Sequence, residues 1–310
     1  MKRYLLAAIL LLLVAGYTFL HSNNLDVLLW QSWKLNRQPM PEQAFDLGRY
    51  RVDIEALPIP ELGDDLSALT YNSDSDTLFG LLNGAPLIVE LSLDGQLLRS
   101  IRIKGVEDME GLTHVGGDRY VIAEERRRRL LEIEIPDDAV ELDVSDAYSL
   151  TVALDEERDN KGLEGLSWDA QRQRLMVVKE SEPMRVFAVT GFVGQPEDAS
   201  LSIHLEPSLQ PDNLFMSDLS SLVADNRTGH LLLLSDESHM VVEYSSDGQP
   251  LSLLGLWRGM SGLNRTVPQA EGLTVDSQQR IYIVSEPNLF YRFAPVNPSA
   301  AQPATPAHSR

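Results

Sequence analysis

Five segments of this chain share one pattern, and their spacing limits the possible folds more than any other feature. They are Asp65-Leu-Ser-Ala-Leu69, Asp108-Met-Glu-Gly-Leu112, Gly162-Leu-Glu-Gly-Leu166, Asp218-Leu-Ser-Ser-Leu222 and Gln269-Ala-Glu-Gly-Leu273. Successive starts lie 43, 54, 56 and 51 residues apart. A turn cluster follows each segment, then an apolar run, then a short polar loop and an alternating strand such as 87–93 or 240–244. Two units continue through Asp94-Gly95 and Asp247-Gly248 into a further strand, and Asp-Gly between alternating strands marks a hairpin.

Each unit therefore reads as a four-stranded antiparallel meander. One such sheet cannot bury both of its faces, and radial packing of several sheets solves the problem. The fold class predicted is all-β: a five-bladed β-propeller of four-stranded antiparallel blades, preceded by one N-terminal transmembrane helix. The fifth unit ends near residue 294 with three strands, and 50–57 (YRVDIEAL) supplies the missing outer strand and closes the ring. The stretches 136–161 and 190–217 have no room for a sixth blade.

In a propeller the inner strand of each blade starts at one mouth of the channel, and the loop between the second and third strands returns to that face. The third motif position is Ser67, Glu110, Glu164, Ser220 or Glu271. The returning loops hold Asn83, Glu125, Glu180, Asp236 and Glu286, which follow the motif leucine by 14, 13, 14, 14 and 13 residues. Asp65, Asp108 and Asp218 stand two residues before the third position, and Glu124, Glu182 and Glu237 flank the loops. The mouth is thus expected to be an acidic ring, with Lys179 and Arg185 as the nearest bases. Packed carboxylates repel one another and are costly to desolvate unless a cation holds them. Oxygen-only donors point to a hard cation, and calcium, which accepts 6–8 oxygens in loose geometry, fits best. Glu110, Glu164, Glu271, Asp218 and Asp108 are the expected metal ligands, and Glu125, Glu180, Asp236, Glu286 and Asp65 complete the ring. A competing reading makes the Glu-Gly-Leu turn a structural device at blade junctions. Arg126 to Arg129, just after Glu124 and Glu125, either neutralise nearby acids, meet an anionic substrate or form a solvated loop.

The chain has no cysteine, so thiol catalysis, disulfides, thiolate zinc sites and lipid attachment through cysteine are excluded. A net charge of −20 would repel a phosphate backbone, which argues against nucleic-acid binding. There is no Gly-x-Ser-x-Gly, His-Glu-x-x-His or Walker sequence to support a serine hydrolase, a zinc protease or a nucleotidase.

Lys2 and Arg3 precede an uncharged run over 4–20, near the lower length limit for a membrane span. The positive end stays in the cytoplasm, so the remainder is exported. An uncleaved anchor is the preferred reading over a signal peptide, because bulky Tyr17, Phe19 and Leu20 follow Ala15-Gly16. The segment 25–35 carries two tryptophans and reads either as an element at the bilayer surface or as a linker helix. The organisation expected is an anchor at 1–22, a juxtamembrane linker at 23–48, the propeller at 49–295 and a loose tail at 296–310.

With these motifs in place, the chain resembles the SdiA-regulated (YjiK-like) family of bacterial proteins. The resemblance rests on the anchor, on Asp108-Met-Glu-Gly-Leu-Thr, Gly162-Leu-Glu-Gly-Leu-Ser, Asp218-Leu-Ser-Ser-Leu and Ala270-Glu-Gly-Leu-Thr, and it covers about 50–295. It implies a five-bladed propeller distantly similar to NHL-repeat propellers, with a calcium site and no established activity. Two functions are carried forward. One is a binding module: a monomer tethered to the bacterial inner membrane, with its propeller on the periplasmic side, binding a small ligand or an envelope protein. The other is a calcium-dependent hydrolase of esters, lactones or phosphoesters, with a spare carboxylate such as Glu180 or Asp236 as general base.

Overall fold

The computed structural model describes residues 2–60, 62–63, 65–152, 162–180, 183–194 and 200–296. Glu182 and all of the expected tail beyond Val296 lie outside the described residues. An apolar helix α1 (Lys2–Ser22) is followed by α2 (Leu25–Leu35). The strand β1 (Tyr50–Pro58) then leads into the propeller.

Blade I contains β2 (Leu66–Asn72), β3 (Thr77–Leu82), β4 (Leu87–Leu91) and β5 (Leu97–Lys104). Blade II begins with β6 (Met109–Gly116), β7 (Arg119–Glu124) and β8 (Arg129–Glu134). The chain then leaves it, adds β9 (Glu141–Asp143) in parallel to the outer edge of β5, and returns as β10 (Ser149–Thr151) on β8. Blade III holds β11 (Leu163–Asp169), β12 (Arg174–Lys179), β13 (Arg185–Thr190) and β14 (Ser202–Leu205). Blade IV holds β15 (Ser221–Ala224), β16 (Leu231–Ser235), β17 (Met240–Tyr244) and β18 (Pro250–Gly255). Blade V holds β19 (Ala270–Val275), β20 (Ile281–Ser285) and β21 (Leu289–Pro295), and its outer strand is β1, paired antiparallel from Tyr50↔Pro295 to Pro58↔Leu289. The five blades and the strand exchange that closes the ring agree with the repeat. The excursion to β9 was not expected: blade I carries a fifth strand, which covers part of an outer edge that would otherwise present unpaired backbone groups.

Five hydrophobic clusters fill the five gaps between neighbouring blades. Leu112 and Phe79 belong to the I–II cluster, Leu166 and Val121 to II–III, Leu222 and Met176 to III–IV, Leu273 and Leu232 to IV–V, and Leu69 and Val284 to V–I. The motif leucine is thus a core residue in every blade. The fourth motif position sits where inner strands approach most closely. A Cβ on Gly111 would lie 2.5 Å from the Glu164 carbonyl oxygen, and one on Gly165 would lie 2.8 Å from Ser221 Cα. Hydroxyls stitch the same strands together around the ring. Thr70 Oγ1 accepts from His114 N–H, Thr113 Oγ1 from Trp168 N–H, Ser167 Oγ from Ala224 N–H and Thr274 Oγ1 from Tyr71 N–H. Blade IV has Val223 at the equivalent place, and there Ser221 Oγ accepts from Leu273 N–H instead.

The segment 23–48 packs onto the propeller. Leu28 and Leu35 of α2 are fully buried in the blade III–IV cluster, and Asn24 Nδ2 donates to Ser217 Oγ at 2.8 Å. Phe45 and Leu47 enter the IV–V cluster, where Phe45 N–H donates to Glu243 and Leu47 N–H donates to Ser252 Oγ. Leu28→Ala should therefore cost about 3 kcal/mol of unfolding free energy. A denaturant titration checks this, and an unchanged midpoint would contradict the docking.

Candidate functional site

The third motif position and the returning loop of every blade converge on one cavity of about 390 Å³. All ten expected positions line it: Ser67, Glu110, Glu164, Ser220 and Glu271 from the strand starts, and Asn83, Glu125, Glu180, Asp236 and Glu286 from the loops. Asp218, Glu237 and Gln269 complete the lining, which among the described residues has nine carboxylates and no cationic side chain. Gln269 was not singled out from the sequence, although it holds the same first motif position as Asp108 and Asp218.

That first position explains how the loops are held. The carbonyl oxygens of Asp65, Asp108 and Gln269 accept the N–H of Asn83, Glu125 and Glu286 at 3.0, 2.9 and 3.0 Å. These three residues adopt positive φ values of 77°, 59° and 26°. Aspartate is one of the few non-glycine residues that tolerates this region, so the motif aspartate has a backbone role apart from any ligand. In blade IV the side chain does the work: Asp218 accepts from Ser235 Oγ, and from the N–H groups of Asp236 and Glu237 at 3.2 and 3.1 Å. Contacts between blades fix the ring further. Glu125 Oε1 accepts from Gly162 N–H at 2.9 Å, Asp236 Oδ1 accepts from Ala270 N–H at 2.9 Å, and Asn83 Nδ2 donates to Glu110.

Three expected placements differ. Asp108, expected among the metal ligands, is not one of the residues lining the cavity. Asp65 does not line the cavity; its carboxylate lies beside Gly84, so its part is to hold Asn83 through the backbone. Glu124 is fully buried away from the mouth and accepts from Arg127 at 3.2 Å and Arg129 at 2.6 Å. Arg126 pairs with Asp108 at 3.4 Å, so these three arginines of the basic run are engaged with neighbouring acids. Asp108, Glu110 and Glu125 each bring a carboxylate oxygen within 4.8 Å of the others.

Burial pushes the Glu110 carboxyl up to about 8, reinforced by the charges of Glu125 and Glu271. Burial does the same for Glu271, also to about 8, with Asp236 and Glu286 adding repulsion. Glu164 is held well above the carboxylate range by burial and then by Glu110 and Glu125. Burial raises Glu125 while the Gly162 amide opposes it, and raises Asp218 to about 6 against the Ser235 hydroxyl. A carboxyl whose proton affinity rises on folding stabilises the folded form in acid and loses that contribution as pH climbs. In the metal-free protein, stability should therefore fall between about pH 5 and pH 8, as Glu110 and Glu271 ionise. Thermal unfolding with chelator across that range tests it, and a midpoint rising with pH would contradict it.

At the opposite mouth a second cavity of about 300 Å³ is lined by Thr70, Thr113, Ser167 and Thr274 with Tyr71, His114 and Trp168. The channel thus has one acidic end and one hydroxyl and aromatic end.

This architecture defines a class: a five-bladed β-propeller with a carboxylate ring at one mouth. The chain belongs to the SdiA-regulated family, whose model matches residues 42–294. Among solved structures it is similar to the luciferin-regenerating enzyme, with 11% identity and a TM-score of 0.49, covering 78% of this chain and 95% of that one. It is also similar to a chain of a nidogen/laminin complex, with 10% identity and a TM-score of 0.46, covering 72% of this chain and 73% of that one.

Proposed function

We propose that this protein is a membrane-anchored binding module whose acidic mouth holds a calcium ion and, through it, recognises a ligand or partner outside the cytoplasm. The observation that carries this reading is the lining itself: nine carboxylates around one cavity, without a cationic side chain among the described lining residues. Repulsion of this kind is relieved by protonation or by a bound cation, and the upward shifts of Glu110, Glu164 and Glu271 are its signature in the absence of metal. The donor set fits a hard ion, because every side chain lining the mouth offers oxygen or amide groups and none offers sulfur or imidazole. Glu110, Glu125 and Asp108 form one corner of such a site, with Glu164 and Glu271 across the mouth. Bound calcium would supply a positive centre with coordination positions to share with an anionic or carbonyl group of the partner.

Helix α1 contains a stretch, Arg3–Ser22, long and apolar enough to cross a membrane, and none of its residues is buried against the rest of the protein. With Lys2 and Arg3 on the cytoplasmic side, the propeller stands on the periplasmic side of a bacterial inner membrane. In the hydrolase alternative Glu180 or Asp236, both lining the cavity, would take a proton from water; the Ala270 N–H on Asp236 Oδ1 would orient that carboxylate and leave its other oxygen free.

Isothermal titration of the full-length chain in detergent tests the metal site. Calcium should bind with measurable heat, and magnesium, which demands a tighter octahedral shell, should bind far more weakly. No calcium binding at pH 8 would overturn the proposal.

A further inference from the structure

Helix α2 has two unlike faces. Leu28 and Leu35, one heptad apart, are buried at 0% and 2% exposure against blade IV, where α2 packs on β18. The opposite face carries Leu29, Trp30 and Trp33, exposed at 51%, 59% and 48%. The two indole rings stack at 5.0 Å, and the Arg37 guanidinium lies 4.0 Å over Trp33. Large apolar side chains on the outside of a docked helix call for a second partner. Chain continuity selects which one: only two residues separate the end of the apolar α1 at Ser22 from the start of α2 at Leu25. Tryptophan prefers the headgroup level of a bilayer, with an apolar ring and a polar N–H, and Lys34 and Arg37 add local positive charge to a chain whose net charge is −20.

We propose that the outer face of α2 is a membrane-interface surface that rests the propeller on the edge of blade IV. The inference relies on α1 being an anchor and goes beyond it, because an anchor alone leaves the propeller free to tumble. A blade edge points radially, so a bilayer pressed against it runs parallel to the channel axis. The acidic mouth then opens sideways along the membrane surface instead of toward it or away from it. The rim of that mouth is also where the anchor meets the propeller, since Asn24 bonds Ser217, the neighbour of Asp218.

The test uses the full-length chain in vesicles of phosphatidylethanolamine and phosphatidylglycerol. Trp168→Phe with Trp257→Phe leaves only Trp30 and Trp33 to report. Lipids brominated near the headgroup should quench their emission at least about twofold, while aqueous iodide should quench it weakly. For the pose, the absence of native cysteine permits single labels at Ser246→Cys in blade IV or at Asp138→Cys, beside β9 on the far side of the ring. Energy transfer to a labelled lipid should be stronger from residue 246. Equal transfer from the two positions, or tryptophans reached by iodide and not by brominated lipid, would overturn the proposal. Release of the chain by alkaline carbonate would instead mark the failure of the anchor reading. Trp30→Ser with Trp33→Ser should abolish the difference in transfer while leaving the unfolding midpoint in detergent unchanged, since neither ring is buried.

Discussion

Calcium at about a thousandfold excess over its dissociation constant should raise the unfolding temperature of the full-length protein by roughly 10 °C, because ligand binding at that excess contributes about 4 kcal/mol. Glu164→Gln gives the sharper result, since its effect changes sign with metal. In chelator at neutral pH the substitution removes a carboxyl that is ionised in the unfolded chain and whose ionisation burial and the neighbouring Glu110 and Glu125 disfavour in the folded one, so folding no longer bears that cost. The metal-free variant should therefore unfold at a higher temperature than the wild type. In calcium it loses a ligand charge and should unfold at a lower one. Differential scanning calorimetry of the two proteins in the two conditions reads all four values. Parallel shifts would mean that Glu164 is a structural residue and that the ring is not a metal site.

The second large effect concerns the glycine of the Glu-Gly-Leu turn. Gly111→Ala would put a methyl group 2.5 Å from the Glu164 carbonyl oxygen, a backbone atom that cannot rotate away. Separation of blades II and III by a few tenths of an ångström follows, with an expected loss of about 3 kcal/mol and a midpoint lower by roughly 6–12 °C. The matching control is Ala68→Gly in blade I, where the methyl group is already accommodated and its removal should cost only about 1 kcal/mol. If both changes cost the same, close approach of the inner strands is not what keeps glycine in the motif.

These two predictions separate the rival readings of one motif. Glu-Gly-Leu is a structural device at its glycine and leucine, which pack between blades, and a candidate site at its glutamate, which faces the cavity. The glutamate's place at the mouth was legible in the sequence, which leaves the two readings as rivals, since plain alternation would put Glu110 and Leu112, two residues apart, on one face. A register shift between Met109 and Gly111 interrupts that alternation in the structure. The strand that closes blade V and the glycine turns at 95 and 248 were legible for local reasons. Other features depend on contacts remote in sequence. The apolar positions of α2 mark an amphipathic helix, yet nothing near them shows that Leu28 and Leu35 meet strands formed some two hundred residues later. The three residues of β9 carry too little pattern to stand out, and their place is set by the free edge of β5. Asp65 looked like Asp108 by motif position, but with Ser67 and Asn83 facing the cavity in blade I its carboxylate turns aside to Gly84.

The path of the chain between anchor and ring has a mechanical consequence. The strand that seals the propeller, β1, is also the strand nearest the tether, so a direct pull on α1 would unzip blade V from its outer edge. Instead the load first meets α2, clamped to blade IV through Leu28 and Leu35, and then Phe45 and Leu47, seated between blades IV and V. The seam is shielded as a cable is by a clamp ahead of its joint: tension would have to peel a helix and two further side chains before the first β1 hydrogen bond carried any of it.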